Sequence, residues 1–160
     1  MKTSEEGIAL IKAFEGVVKK PYKCSARVWT IGVGHVMYNE QLRLPLEKRN
    51  QWELMPQDDR IWSNEEIDDL LKRDLSRFEA GVLRMLRPVP LKQHEFDALV
   101  SFAFNLGVGT LQRSTVRSAM LRGDKTLAGE TLLKYCRAGG KVLQGLQRRR
   151  LAEHALLMRG

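Results

Sequence analysis

Ser63 and Glu66 stand at the head of a run in which Ile67, Leu70, Leu71, Leu75, Phe78 and Val82 recur at steps of three and four residues. That spacing places the apolar side chains on one helical face. Ser63 and Glu66 are spaced as a capping box, acids crowd the first turns where the helix dipole favours them, and Pro88 and Pro90 forbid continuation. One long amphipathic helix from Ser63 is the prediction. Beyond Pro90, Leu91 to Asn105 carries Phe96, Ala98, Leu99, Val100, Phe102, Ala103 and Phe104 on nearly every side, which predicts a buried helix. With 160 residues, 43% of them hydrophobic, the chain is long enough for one domain with a sizeable core, divisible into two lobes.

The N-terminal part reads differently. An amphipathic segment ends near Glu15, and the stretch after it holds Cys24, then Trp29, Thr30, Ile31, Gly32, Val33, Gly34 and His35. The two glycines and Trp29 suggest a tight hairpin. An acid, a thiol and a hydroxyl would then lie within reach of one another, an arrangement suited to acetal cleavage: a protonated carboxyl donates to the leaving oxygen while a second group attacks or directs water from the opposite face. An ordinary glutamate, with a pKa of about 4.3, is ionised at neutral pH. Phe14, Gly16, Val17 and Val18 flank Glu15, so burial is expected to raise its value. Lys23 and Arg27 lie close to Cys24 and would favour a thiolate. Taken singly, a glutamate at a helix end is a solvated charge, a lone cysteine is a small buried apolar residue, and His35 is either a proton shuttle or a tie between the hairpin and a neighbour.

Three blocks in order carry a resemblance. The first is Glu15, eight residues, Cys24, five residues, Thr30, continuing through Gly32, Gly34 and His35. The second is Ser101-Phe102-Ala103-Phe104-Asn105-Leu106-Gly107-Val108-Gly109. The third is Ala138-Gly139-Gly140-Lys141 with Gly145-Leu146-Gln147-Arg148-Arg149-Arg150. Together they span nearly the whole chain, which resembles the phage-type lysozymes, the endolysins of glycoside hydrolase family 24.

The resemblance implies an α+β, mainly helical fold over residues 1–160. A small β-containing N-terminal lobe and a larger helical lobe are joined by the long helix, with the sugar cleft between them. It implies hydrolysis of the β-1,4 bond between N-acetylmuramic acid and N-acetylglucosamine in peptidoglycan. Glu15 takes the place of the general acid, Thr30 that of the hydroxyl placing water, and Cys24 the position that is Asp in other members. Inversion through a water is the implied route, with a lytic transglycosylase on the same substrate as the alternative product chemistry. His35, Val36 and Phe104 are implied substrate contacts, although core packing is the plain reading of Phe102 and Phe104. No cofactor or metal is implied, and two Cys and three His are too scattered for a structural zinc site. Residues 37–61 depart from compact family members: Pro45 and Pro56 interrupt an aperiodic stretch that fits short strands, a loop or a short helix.

Net charge is +8, and it is unevenly placed. Residues 1–110 balance 16 Lys+Arg against 16 Asp+Glu, whereas residues 111–160 hold 11 against 3. Such a bias points to a polyanion: nucleic acid, anionic membrane or the acidic cell wall. Arg148-Arg149-Arg150 invites the nucleic-acid reading, but no binding module accompanies it. Val142 to Met158 reads either as an interfacial helix touching anionic lipid or as a C-terminal helix packing Leu143, Leu146, Leu156 and Leu157 on the core. A wall-binding or polyanion-binding module without turnover is the non-enzymatic alternative. The opening residues lack the apolar run of a signal peptide, so the expected location is the host cytoplasm, with a holin giving access to the periplasm and wall. A monomer with reduced Cys24 and Cys136 is expected there.

Overall fold

The computed structural model describes residues 1–160. The predicted long helix is α4, Asn64–Met85. Its capping box is formed as the sequence requires: the Ser63 N–H donates to Glu66 Oε1 at 3.0 Å, and the Glu66 N–H donates to Ser63 Oγ at 3.1 Å. The chain divides into two compact units, Met1–Phe14 with Leu75–Gly160, and Glu15–Asp74, so the division falls within α4.

The larger unit is helical. It holds α1 (Glu5–Glu15, apart from its last residue), the second half of α4, α5 (Gln93–Leu106), α6 (Val108–Gln112), α7 (Thr115–Leu121), α8 (Lys125–Leu133) and α9 (Gln144–Leu157), with a two-stranded hairpin of β4 (Arg137–Ala138) and β5 (Lys141–Val142) before α9. α5 is the buried helix that the sequence predicted, with Phe96, Leu99, Val100 and Phe102 removed from solvent. It packs against α9, and α7 packs against α8. The start of α1 is tied down by carboxylates: Thr3 donates through N–H and hydroxyl to Glu79 Oε2, both at 2.7 Å, and Ser4 donates to Asp97. Gly7 lies so close to Asp97 and Thr3 that an added Cβ would stand 2.7 Å from Thr3 and 2.8 Å from Asp97, which only glycine avoids.

α9 departs from expectation. Leu156 and Leu157 are buried as predicted, but Leu143 is 43% exposed and Leu146 only half-buried. The inward face is completed instead by Arg149, Arg150 and Glu153, all buried. Arg150 Nε lies 2.8 Å from Glu153 Oε1, Arg149 Nε lies 3.3 Å from Oε2, and Ser101 Oγ donates to Oε2 at 2.5 Å. Burial pushes the Glu153 carboxyl up, and the guanidiniums of Arg150 and Arg149 with the Ser101 hydroxyl oppose that push. Two of the three consecutive arginines are therefore core residues. A charge run looks like a solvated face in sequence, and Glu153, three and four residues on, is what turns this one inward.

The smaller unit carries a three-stranded antiparallel sheet in the order β1 (Val18–Lys23), β2 (Trp29–Gly32), β3 (His35–Val36). Residues 37–61 contain two single-turn helices, α2 (Asn39–Leu42) and α3 (Leu46–Arg49), and a 3-10 turn at Pro56–Asp58. They form no strand beyond β3: the alternating run Leu42, Leu44, Leu46 is broken by Pro45, which has no N–H for a ladder. One fully buried side chain, Gln41, organises this segment. Its amide oxygen accepts from the Trp29 N–H at 2.9 Å, and its nitrogen donates to the carbonyls of Arg49 at 3.0 Å and Arg27 at 3.3 Å.

Candidate active site

Glu15 is the last residue of α1 and the first of the smaller unit. The helix ends there because Gly16 adopts φ +83°, the left-handed conformation that closes many helices. The expected burial of Glu15 is not found. Glu15 is exposed, and Phe14, Val17 and Val18 are themselves 36–39% exposed. These side chains sit where helix hands over to strand, so they cannot fold back over the carboxyl.

Cys24 and Thr30 meet across the hairpin that joins β1 to β2. The turn is closed by the Arg27 N–H donating to the Cys24 carbonyl at 2.8 Å and the Cys24 N–H donating to the Val28 carbonyl at 3.1 Å. Arg27 takes φ +61° to complete it. Thr30 is 2% exposed, and its hydroxyl donates to the Val28 carbonyl at 3.0 Å. The half-buried Cys24 shares a face with Thr30, since Thr30 pairs with Tyr22 and Cys24 stands two residues beyond Tyr22. Burial alone would push the Cys24 thiol up. The Thr30 hydroxyl and the backbone at Val28, Ala26 and Cys24 itself outweigh burial and hold it below the ordinary thiol value. The cause differs from that expected: hydrogen bonds lower the thiol, not the cations Lys23 and Arg27.

Strand register sorts the remaining candidates. Thr30 pairs with Val36 on one side and Tyr22 on the other, while Ile31 pairs with His35. Directly paired residues share a face and neighbours along a strand alternate. Val36 therefore stands beside Thr30, and His35 projects from the opposite face. Its Nδ1 lies 2.7 Å from Asp74 Oδ2 on α4, which makes it the tie between hairpin and helix. A cavity of about 220 Å³ lies on that side, with Met37, Asp58, Trp62 and Arg73 among its lining. Gly32 and Gly34 turn the chain between β2 and β3 at φ +67° and +65°, and Gly32 rests against Ile67 of α4. Asp74 escaped the sequence reading, since an acid on the flank of an amphipathic helix carries no signal of a partner 39 residues earlier. Phe104 belongs to the larger unit, where it is half-buried and packs edge-on against Phe78 with ring centroids 5.2 Å apart. Cys24 and Cys136 carry free thiols, and no helix is long and apolar enough to cross a membrane.

Known proteins agree with this layout. An endolysin of Bacillus phage B103 is 37% identical over 162 residues, covering 100% of this chain and 55% of the relative. The chain thus spans about half the length of that protein and of its counterpart in Bacillus phage PZA, 56% of which is covered. An endolysin of Acyrthosiphon pisum secondary endosymbiont phage 1 is 33% identical, with 98% of this chain and 97% of the relative covered. A crystal structure of a P22 lysozyme mutant superimposes with a TM-score of 0.80 at 30% identity, covering 99% of each chain. The phage lysozyme family model matches residues 12–153, a span that includes Glu15, Cys24, Thr30, His35, Val36 and Phe104. The chain belongs to the phage lysozyme family, whose members are peptidoglycan-hydrolysing muramidases.

Proposed function

We propose that this chain is an endolysin that hydrolyses the β-1,4 bond between N-acetylmuramic acid and N-acetylglucosamine in bacterial peptidoglycan and so lyses the host cell. The observation that carries this reading is the register of the β1–β2 hairpin, which sets Cys24 and the buried Thr30 hydroxyl on one face of the compact unit that also holds the Glu15 carboxyl. Glu15, protonated, donates to the glycosidic oxygen as it leaves. Water held by Thr30 attacks the anomeric carbon and gives its proton to the Cys24 thiolate; solvent then returns Glu15 to its acid form and Cys24 to its base form. The route inverts configuration. Glu15 is exposed, so its carboxyl is open to an approaching sugar. Val36, beside Thr30, contacts the sugar. His35 acts from the other face as the support of the hairpin, and Phe104 offers an aromatic edge to substrate. The working form is a monomer, and a holin gives it access to the wall.

The test is digestion of purified peptidoglycan by the wild type and by Glu15→Gln, with mass spectrometry of the released muropeptides. Reducing muramic ends from the wild type, and a rate lower by about 10²–10⁴ for the variant with its melting temperature unchanged, are expected. Anhydro ends would make the chain a transglycosylase. No release by either protein would leave a wall-binding module.

A further inference from the structure

The basic excess of residues 111–160 is unequal in what it can reach. Arg149 and Arg150 are buried on Glu153, Lys125 lies 3.4 Å from Glu95, Arg159 is paired with Glu6, and Arg117 donates to the Met85 carbonyl. The β4–β5 hairpin is the contrast. Every residue from Arg137 to Leu143 is exposed, and neither Arg137 nor Lys141 has a partner within the fold. Gly139 and Gly140, at φ +58° and +78°, make the two-residue turn that lets the hairpin stand out.

Register gives the hairpin a pattern. Arg137 pairs with Val142 and Ala138 with Lys141, so each face presents one cation opposite one apolar side chain. Val142 and Leu143 are 46% and 43% exposed. The two strands pair only with each other, the Leu143 N–H to Cys136 carbonyl bond at 2.9 Å continuing that ladder, and no backbone bond joins their outer edges to another element. Cations on such an edge repel a second basic hairpin while leaving the edge open to an acidic extended peptide.

Building on the hydrolase reading, we propose that the Arg137–Val142 hairpin docks the acidic peptide stems of peptidoglycan. A stem lies along a free edge, with its carboxylates on Arg137 and Lys141 and its alanyl methyl groups on Val142 and Leu143. The stems are short peptides whose central residues carry carboxylates between alanines, and they match the hairpin in charge and in apolar contact. Glycan stripped by an amidase keeps the lactyl carboxylates of its muramic residues but offers no extended peptide to the edge.

Binding of the full chain carrying Glu15→Gln is measured on intact sacculi and on glycan stripped of stems by an amidase. A second protein adds Arg137→Gln and Lys141→Gln. Two surface charge contacts predict a loss of about tenfold on intact sacculi for the double substitution and no change on stripped glycan. Arg137→Lys with Lys141→Arg restores binding. Equal affinity of the two proteins for intact sacculi, or an equal loss on both substrates, overturns the proposal. The unmodified chain supplies a check free of any folding effect: a synthetic tetrapeptide stem should shift backbone amide resonances at residues 137–143, and no shift there also overturns it. Muropeptide release by the wild type is scored separately. Turnover without stem binding removes the hairpin proposal alone, and stem binding without turnover removes the hydrolase reading alone.

Discussion

Residues 144–157 and residues 15–36 are both rich in ionisable and polar groups, and the fold uses them in opposite ways. On α9, Arg149, Arg150 and Glu153 are sealed in with their bonding to Ser101 and Asn105. Desolvation makes each of them costly alone and tolerable only as a set. In the smaller unit Glu15 is exposed and Cys24 half-buried, within reach of whatever approaches them. Charged groups in the core maintain a structure, while those at the surface stay accessible to a substrate. Composition does not separate these two uses; burial does.

The sharpest way to break that contrast is to remove one member of the sealed set. Glu153→Ala leaves two guanidiniums in the core without their shared carboxylate and should destabilise the fold by about 3–5 kcal/mol in a denaturant titration. Replacing Arg149, Arg150 and Glu153 together by Met, Met and Leu should cost less than the single change. A single variant as stable as the wild type would show that the set is not a structural unit.

A second test concerns the open region. The Cys24 thiol is lowered in the folded chain, so any stability it contributes is present above the unfolded thiol value, about 8.5, and is lost as pH falls through the lowered folded value. If the thiolate accepts the water proton, the rate should rise with pH along a limb whose midpoint lies below about 8.5. Cys24→Ser should remove that limb and slow turnover at neutral pH by about 10². Cys24→Asp should move the limb toward about 3.9. Superimposable pH–rate profiles for wild type and Cys24→Ser would exclude sulfur from proton transfer.

The smallest expected effect sits at the head of α4. The Glu66 carboxyl is lowered to about 2 by its side-chain bond to Arg60 and by the Ser63 N–H. Any stabilisation from it is complete above the ordinary glutamate value and disappears as pH falls through about 2. Arg60→Gln should return its titration, followed by carboxyl NMR shifts, toward about 4.3 with little change in stability, because the pair is exposed.

What sequence could reveal follows from the range of the interactions. The cap at Ser63–Glu66, the stripe on α4, the apolar wrap of α5 and the glycine turn at 32–34 are local patterns, and all appear in the structure. The order Glu15, Cys24, Thr30 was readable as a motif, yet the exposure of Glu15 was not, because burial depends on residues far along the chain. The His35–Asp74 pair and the Ser101–Glu153 bond span 39 and 52 residues, and nothing in either segment announces the other. Arg137 and Arg150 looked alike as members of one basic run; only the placement of Glu153 and the free edge of the hairpin separate them.

Gln41 has a consequence for how this chain can vary. Its three bonds all go to main-chain atoms, at residues 27, 29 and 49. A fastener that grips the backbone is indifferent to the side chains on the strands it gathers. Residues 42–61 can therefore drift in composition at every position but those that grip the fold themselves, such as Arg49 on the carbonyls of Ala26, Leu42 and Leu44 and Asp58 on the Tyr38 hydroxyl.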